Sequence, residues 1–474
     1  MVAVALAAAG GCQRRPDVGA VIVSAIGNPP TLIDPTRRPA DFPARLLADS
    51  VAQGLIRFDA AGQIEPGLSQ RWTVRNDGMS YIFRLRDAAW ADGSPVTAEQ
   101  VVAILKRRIR RTARNPLGPF LTAIDQIVVM TPHVIEIRLL RPRPDLLKLF
   151  AQPELALVRP IRPSGSGPLR IAQDARAPLL RPVVDVDLAD PDDGELSPEQ
   201  DVRLIGESAA RAIVRFANRE SDLVAGGTFV DWPLVAAAGV APASIRIDPA
   251  AGLFGLAIVD RSGFLGDVAN RLVVAQAIDR VALTGALAGG WEPVDHILPE
   301  TLDSAAPPAV PAWTLLTPAQ RVAGARAQVA RSAAPVRLRI AMPAGPGATL
   351  VYGQVAASLI AIRITPMRVA IDAPADLRLV DAVAPYDSAR WYLASACVVC
   401  GEAAEAALEA AREAPTLATR AAAIAAADRA LDADVAFIPL ARPLRWSLVA
   451  RRLAEWQANS RAWHPLNRLR RDTR

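Results

Sequence analysis

The sequence predicts a mixed α/β fold in which helices pack against sheets, and three observations lead to this prediction. The chain has 474 residues, a length that predicts about three domains or one discontinuous body with several lobes. Hydrophobic residues make up 51% and charged residues 22%, which is typical of a folded chain. Predicted strands and helices alternate in groups along the chain, an order that favours layered packing.

The first part of the chain is predicted to consist mostly of strands and turns. Apolar β-forming residues from Val18 onward lead into a Pro/Asn/Gly turn, so we expect a strand followed by a loop. Between residues 54 and 90 short strands are separated by turns. Tyr81, Phe83 and Leu85 recur at every second position, the period of a strand with one buried face.

A helix is predicted to begin at Thr97. Thr97 and Gln100 have the spacing of a capping box, and Val101, Leu105 and Ile109 then fall on one helical face. Basic residues at positions 106–111 share this helix. Because no glycine-rich loop or interleaved aromatic residue accompanies them, we expect a solvated helix face and not a phosphate site.

The remaining elements are predicted from periodicity and turn residues. We expect a hairpin at residues 127–140, a strand after a glycine turn at 165–171 and an acidic surface loop at 185–202. One helix is predicted at 268–287, followed by a region of short strands and turns at 335–384. A helical region at 401–433, interrupted near Pro415, precedes a late strand at 437–440.

The N-terminal residues 1–12 predict export from the cytoplasm. An apolar run of small residues ends at Cys12, as in a bacterial lipoprotein signal, so Cys12 is the predicted lipidation site and the protein is expected to be periplasmic and membrane-anchored. A cleaved export signal without lipid is the alternative. The net charge of +6 is too diffuse for a nucleic-acid partner.

Several motifs along the chain resemble one known family. They are Gly54-Leu55-Ile56, Ile64 to Ser69 with Trp72, Asp77 to Arg86, Trp90 to Val101, Gly165 to Leu169, Ala275 to Arg280 and Phe437 to Leu440. In this order they resemble the extracytoplasmic solute-binding proteins of ABC importers, in the oligopeptide, dipeptide and nickel-binding class (family 5). Each motif alone is weak, but their joint order and spacing are specific.

This resemblance implies a periplasmic-binding-protein-like clamp of two lobes with an extra domain. Lobe I is expected at residues 18–45, 153–245 and 440–474, the extra domain at 46–152 and lobe II at 246–439. The implied function is a monomeric receptor that binds a solute between the lobes and delivers it to the permease and ATPase subunits of an importer. Members of this class bind peptides, nickel chelates, sugars or opines, use no cofactor for this, and catalyse no reaction.

The resemblance also implies where the ligand contacts lie. In peptide-binding members an aspartate in the last third of the chain pairs with the ammonium group of the ligand, which here indicates Asp387 or Asp381. Tyr386 and Trp391 are candidate pocket walls, and Asn28, after the first strand, is a candidate at the rim of the cleft. The alternative for this region is a polar loop beside a buried aromatic residue.

Cys397 and Cys400 form a Cys-x-x-Cys motif that points to different chemistry. A structural disulfide, free or metal-binding thiols, and redox catalysis are all compatible with it. The alternative function is therefore a periplasmic thiol–disulfide oxidoreductase. The three histidines are far apart in sequence, so no metal site is expected.

Overall fold

The computed structural model describes residues 19–34, 40–110, 112–143, 145–160, 163–173, 175–183, 198–287, 290–299 and 302–470. The acidic loop predicted at residues 185–202 falls largely outside these ranges, and Cys12 lies outside them. In the described part of the chain the strands form sheets of seven, five, four and two strands.

The seven-stranded sheet is the centre of the body that we call lobe I. Its strands are β1 (Val21–Ile26), β8 (Leu169–Gln173), β9 (Leu179–Pro182), β10 (Val202–Glu207), β11 (Leu223–Thr228), β12 (Ile245–Asp248) and β18 (Arg445–Val449). They lie in the order β12-β18-β11-β1-β10-β9-β8, and β1 pairs in parallel with both β10 and β11.

The five-stranded sheet is the centre of lobe II. Its strands are β13 (Gly252–Ile258), β14 (Arg337–Met342), β15 (Thr365–Ala370), β16 (Leu377–Val383) and β17 (Phe437–Ala441). They lie in the order β15-β14-β16-β13-β17. The chain passes between the two sheets through the short segments that join β12 to β13 and β17 to β18.

The two smaller sheets lie in the body that we call the extra domain. They contain β2 (Ile56–Phe58) with β3 (Ile64–Pro66), and β4 (Ser69–Arg75), β5 (Ser80–Leu85), β6 (Ile124–Thr131) and β7 (Val134–Leu139). Tyr81, Phe83 and Leu85 on β5 are buried, while Arg84 is exposed. The predicted period of two is thus confirmed.

Helices cover the sheets. They are α1 (Phe42–Val51), α2 (Ala98–Ile109), α3 (Leu146–Phe150), α4 (Ala209–Ala217), α5 (Trp232–Ala237), α6 (Val268–Ala277), α7 (Arg280–Gly285), α8 (Pro318–Val329), α9 (Pro346–Ala361), α10 (Ala389–Ala396), α11 (Glu402–Glu413) and α12 (Leu417–Asp434). The predicted capping box is present, since Thr97 and Gln100 each accept a backbone N–H of the other. Among the described helices, none has both the length and the apolar character that a bilayer span requires.

Two predicted elements are wrong in lobe II. The region 335–384 was expected to hold only strands and turns, but α9 lies within it; Pro346 occupies its first turn, where proline favours a helix start and does not break one. The single helix predicted at 268–287 is two helices. Asp279 ends the first by capping α7, accepting the N–H of Ala282 at 2.9 Å.

The basic face of α2 also differs from its prediction. Arg108 was expected in solvent but is fully buried, and its Nη1 donates to the carbonyl of Glu154 at 3.2 Å. Arg107 pairs with Asp34. The helix therefore uses part of its charge to join the extra domain to neighbouring segments, and the sequence carried no signal for these distant partners.

Candidate ligand-binding cleft

A cavity of about 420 Å³ lies where the two lobes and the extra domain meet. Lobe I lines it with the end of β11 (Gly226 to Thr228) and the start of β18 (Arg445 to Ser447). Lobe II lines it with the segment from Asp381 to Pro385. The extra domain and its flanks contribute residues such as Phe58 and Leu117. We call this cavity the cleft, and its size is typical of small-ligand pockets.

A bulge in β11 shapes the lobe I wall. The pairing of β11 with β18 shifts register between Val224 and Gly227, and Gly226 has a φ of +86°. A Cβ on Gly227 would lie 2.2 Å from the Trp446 ring. Glycine at this position therefore lets the indole ring of Trp446 lie against the strand.

The lobe II wall presents an open strand edge. β14 pairs with β16 only at Leu377 and Arg378, so as far as the described strands go it leaves the later part of β16 uncovered on that side. The Ala384 N–H donates to the Ala251 carbonyl at 2.8 Å. This bond shows which residues of β16 turn their backbone groups toward β13, because in an antiparallel pair every second residue does so. By that alternation the backbone N–H and C=O groups of Asp381 and Val383 point away from β13, although the Asp381 carbonyl already accepts from Arg445 Nη2 at 3.5 Å. An extended ligand backbone has hydrogen-bonding groups within reach there.

Three tryptophans line the cleft, at positions 391, 446 and 463. The indole N–H of Trp446 donates to the Thr228 carbonyl at 2.8 Å, and that of Trp463 donates to Asp49 at 3.1 Å. These bonds satisfy the polar ends of Trp446 and Trp463. Trp446 is only 1% exposed, and the Arg45 guanidinium lies over the Trp463 ring, so both rings form packed apolar parts of the wall. Trp391 packs edge-on against Tyr392.

Asp381 and Arg445 form an ion pair across the cleft between the two lobes. Arg445 Nη1 lies 2.8 and 3.0 Å from the two carboxylate oxygens, and each side chain is 15% exposed. Burial raises the pKa of Asp381, and the Arg445 charge opposes that rise. The carboxylate predicted as a ligand contact is thus at the cleft and already holds a cation of the protein.

Asp387 lies beside the cleft and is not among its lining residues. Its carboxylate pairs with Lys148 of α3 and with Arg461 of the C-terminal segment. Burial lowers the pKa of Arg461 to about 10. Asp387 therefore joins three separate parts of the chain.

Tyr386 and Asn28 also lie outside the cleft lining. Tyr386 is 5% exposed, packs edge-on against Phe120, and has a pKa raised by burial to about 12. Asn28 follows β1 and donates its side-chain N–H to Asp41 at 2.9 Å. Of the predicted ligand residues, the structure brings Asp381 and Trp391 together at the cleft.

Cys397 and Cys400 are joined by a disulfide between α10 and α11. Their sulfurs are therefore not free thiols in this structure. Within the described ranges no three His, Cys, Asp or Glu residues form a group that suits a metal ion.

Sequence reasoning missed most of the lobe I and C-terminal wall, namely Arg445, Trp446, Arg461 and Trp463. These residues follow the last motif of the resemblance, and no periodic pattern sets them apart. A signal was present in composition, because tryptophan and arginine are concentrated after residue 440.

A second cavity, of about 430 Å³, lies within lobe II. α6 lines it with Val268 and Leu272, and α12 lines it with Asp428 and Asp432. Val268 and Leu272 line this cavity and are 43% and 39% exposed. We call it the lobe II cavity.

The sequence profile of the bacterial extracellular solute-binding proteins, family 5 Middle, matches residues 63–330. This range covers more than half of the 474 residues. It includes β4, β5 and α2, and ends one residue after α8.

Two proteins of Escherichia coli (strain K12) are similar to parts of this chain. The probable deoxycholate-binding periplasmic protein YgiS is 32% identical over 93 residues, which cover 19% of this chain and 17% of that protein. The periplasmic oligopeptide-binding protein OppA is 28% identical over 134 residues, which cover 24% of each chain. The matched segments thus span about a quarter or less of these relatives.

The crystal structure of Haemophilus influenzae OppA in complex with the peptide RPPGFSPFR is similar over almost the whole fold. The TM-score is 0.79 at 16% identity, and the match covers 95% of this chain and 99% of that chain. This likeness confirms the predicted two-lobed α/β clamp. The comparisons do not support the thiol–disulfide oxidoreductase alternative.

Proposed function

The chain belongs to the bacterial extracellular solute-binding proteins of family 5, and we propose that it is a receptor that binds a short peptide or a similar small solute in the cleft. The observation that carries this proposal is the open edge of β16 inside a cavity shared by both lobes. An extended peptide backbone pairs with such an edge and places its side chains in pockets on either side. The oligopeptide-binding relatives support the same ligand class.

The proposed cleft residues divide into two kinds. Asp381 and Val383 supply backbone groups, while Trp391, Trp446 and Trp463 supply apolar ring surface at the cleft wall. A volume of about 420 Å³ favours a short peptide over a long one. Asp387 does not contact the ligand in this proposal, and its ion pair with Arg461 positions that arginine at the edge of the cleft.

The remaining steps follow from the family. We propose a periplasmic location, delivery of the solute by a monomer to the permease and ATPase subunits of an ABC importer, and no catalysis by this chain. Retention at the membrane by a lipid on Cys12 rests on the N-terminal sequence pattern alone.

The test compares two variants at one strand position. Val383→Pro removes the backbone N–H that points into the cleft, whereas Val383→Ala keeps it. With a mixed tripeptide pool as probe, equilibrium dialysis and mass spectrometry should show affinity reduced about tenfold by proline and nearly unchanged by alanine, since about one hydrogen bond and close backbone approach are lost. Unchanged binding in both folded variants, or no peptide binding by the parent protein, contradicts the proposal.

A further inference from the structure

The side chains that line the cleft carry equal numbers of positive and negative charges. Its charged lining residues are Arg45, Arg445, Arg461, Glu154, Asp248 and Asp381. Three positive and three negative groups sum to zero. A receptor that recognises free peptide termini by ion pairing needs an uncompensated charge of the opposite sign in its cleft.

Each of these six groups already has a partner inside the protein. Arg45 lies 2.8 Å from Glu154, and Arg445 lies 2.8 Å from Asp381. Arg461 pairs with Asp387, which lies beside the cleft.

Asp248 differs, because it is held by hydrogen bonds and not by an arginine, since Arg461 is already paired with Asp387. It accepts the backbone N–H of Asn459 at 3.0 Å and lies 3.1 Å from Nε2 of His464. Its own exposure is 5%. Among the described lining residues, every charged group thus has an ion-pair or hydrogen-bond partner in the protein, although Oε2 of Glu154 accepts no hydrogen bond.

Desolvation makes this arrangement selective. A ligand ammonium or carboxylate that enters the cleft loses its water, and each opposite charge that it meets there is already paired or hydrogen-bonded within the protein. Taking Asp381 from Arg445 does not help, because it leaves the buried arginine unpaired. Amide groups, in contrast, can hydrogen-bond to the open edge of β16 beside the tryptophan rings.

We infer that the cleft selects neutral, amide-bearing solutes without free terminal charges, such as cyclic or end-blocked peptides. This inference rests on the proposed function and deepens it. Peptide-like shape is recognised by the strand edge, and the internal ion pairs Asp381–Arg445 and Arg45–Glu154 exclude charged ends.

The test uses one random tripeptide pool made in four forms: free, N-acetylated, C-amidated and blocked at both ends. Equilibrium dialysis with mass spectrometry measures the bound fraction of each form on the full protein. We expect the doubly blocked pool to bind at least as tightly as the free pool. A free pool that binds more than about threefold tighter overturns the inference but leaves the proposed function standing. If no pool binds, the proposed function fails as well.

A pair of variants separates charge recognition from general damage. Asp381→Asn exposes the Arg445 charge, so binding of pools with a free carboxylate should rise about tenfold or more relative to their C-amidated forms. Arg445→Gln exposes the Asp381 charge, so the preference should shift instead to free ammonium groups. A folding defect lowers the bound fraction of all four pools together and does not produce opposite shifts in preference. Absence of both shifts in folded variants contradicts the inference.

Discussion

The cleft and the lobe II cavity have almost the same volume, about 420 and 430 Å³, and differ in how they hold charge. Carboxylates of the cleft such as Asp381 pair with arginines, whereas Asp428 in the lobe II cavity is 3% exposed and accepts one backbone N–H, from Ala309 at 2.7 Å. The cleft is also built from separate bodies of the chain, while one lobe builds the other cavity. Volume therefore does not single out a binding site, and the proposal for the cleft rests on its open strand edge between the lobes.

The largest expected effect is on stability and separates the two carboxylates. Asp381→Asn should lower the free energy of unfolding by about 3 kcal/mol, because it leaves buried Arg445 without its counter-charge. Asp428→Asn leaves no cation unpaired and keeps an oxygen for the Ala309 N–H. Urea unfolding of both variants measures the difference, and equal losses would mean that the cavities do not differ in this way.

The second effect is on binding and comes from filling each cavity. Ala382→Phe places a ring in the cleft and should weaken tripeptide binding by about 2 kcal/mol, through lost space and overpacking. Ala269→Phe fills the lobe II cavity in a matched way and should leave binding unchanged. Calorimetry checks both. If Ala269→Phe loses binding while its melting temperature stays normal, the ligand binds in the lobe II cavity and not in the cleft.

The third effect is a pH dependence confined to the lobe II cavity. Burial raises the pKa of Asp428 from 3.8 to about 6, so the folded protein holds this proton more tightly than the unfolded chain does. The stability contribution is complete below about pH 4 and is lost as the pH rises through 6. Asp428→Asn should therefore be more stable than the parent at pH 7, by up to about 3 kcal/mol for a pKa shift of about two units, and equal to it near pH 4. Denaturant unfolding across this range measures the gain, and a gain that is the same at both pH values contradicts the assignment.

The smallest effect concerns the partly exposed pair at the edge of the cleft. Lys148 and Asp387 are 20% and 40% exposed in their side chains, so Lys148→Gln should cost less than about 1 kcal/mol of stability. A double-mutant cycle with Asp387→Asn isolates this pair from the Arg461 contact. A coupling energy above about 2 kcal/mol would show that the pair is a strong link between the extra domain and lobe II.

Local features were predictable because their causes are local. The capping box at Thr97 and Gln100, and the period of two through Phe83, depend on neighbouring residues and were confirmed. α9 was missed because its Gly/Pro start resembles a turn and its apolar residues form no clear stripe. The break at Asp279 was missed although Asp is a common N-cap residue.

The candidate site was less accessible to sequence reasoning. Asp381 and Trp391 were predicted near the ligand from the resemblance, and both line the cleft. Asp387 was also predicted, but its pairing with Lys148 and Arg461 joins positions 239 and 74 residues apart. No pattern in the sequence indicates contacts over such separations.

By itself the sequence determined the family, the α/β class and most short elements, because ordered motifs and residue periodicity record local turns, caps and buried faces. Only the tertiary structure decided which charges are neutralised before a ligand arrives. That outcome depends on pairs such as Asp381 with Arg445, which come from opposite lobes and meet only when the sheets are brought together. The motifs therefore indicate the family, whereas the charge pairing in the cleft depends on the tertiary structure.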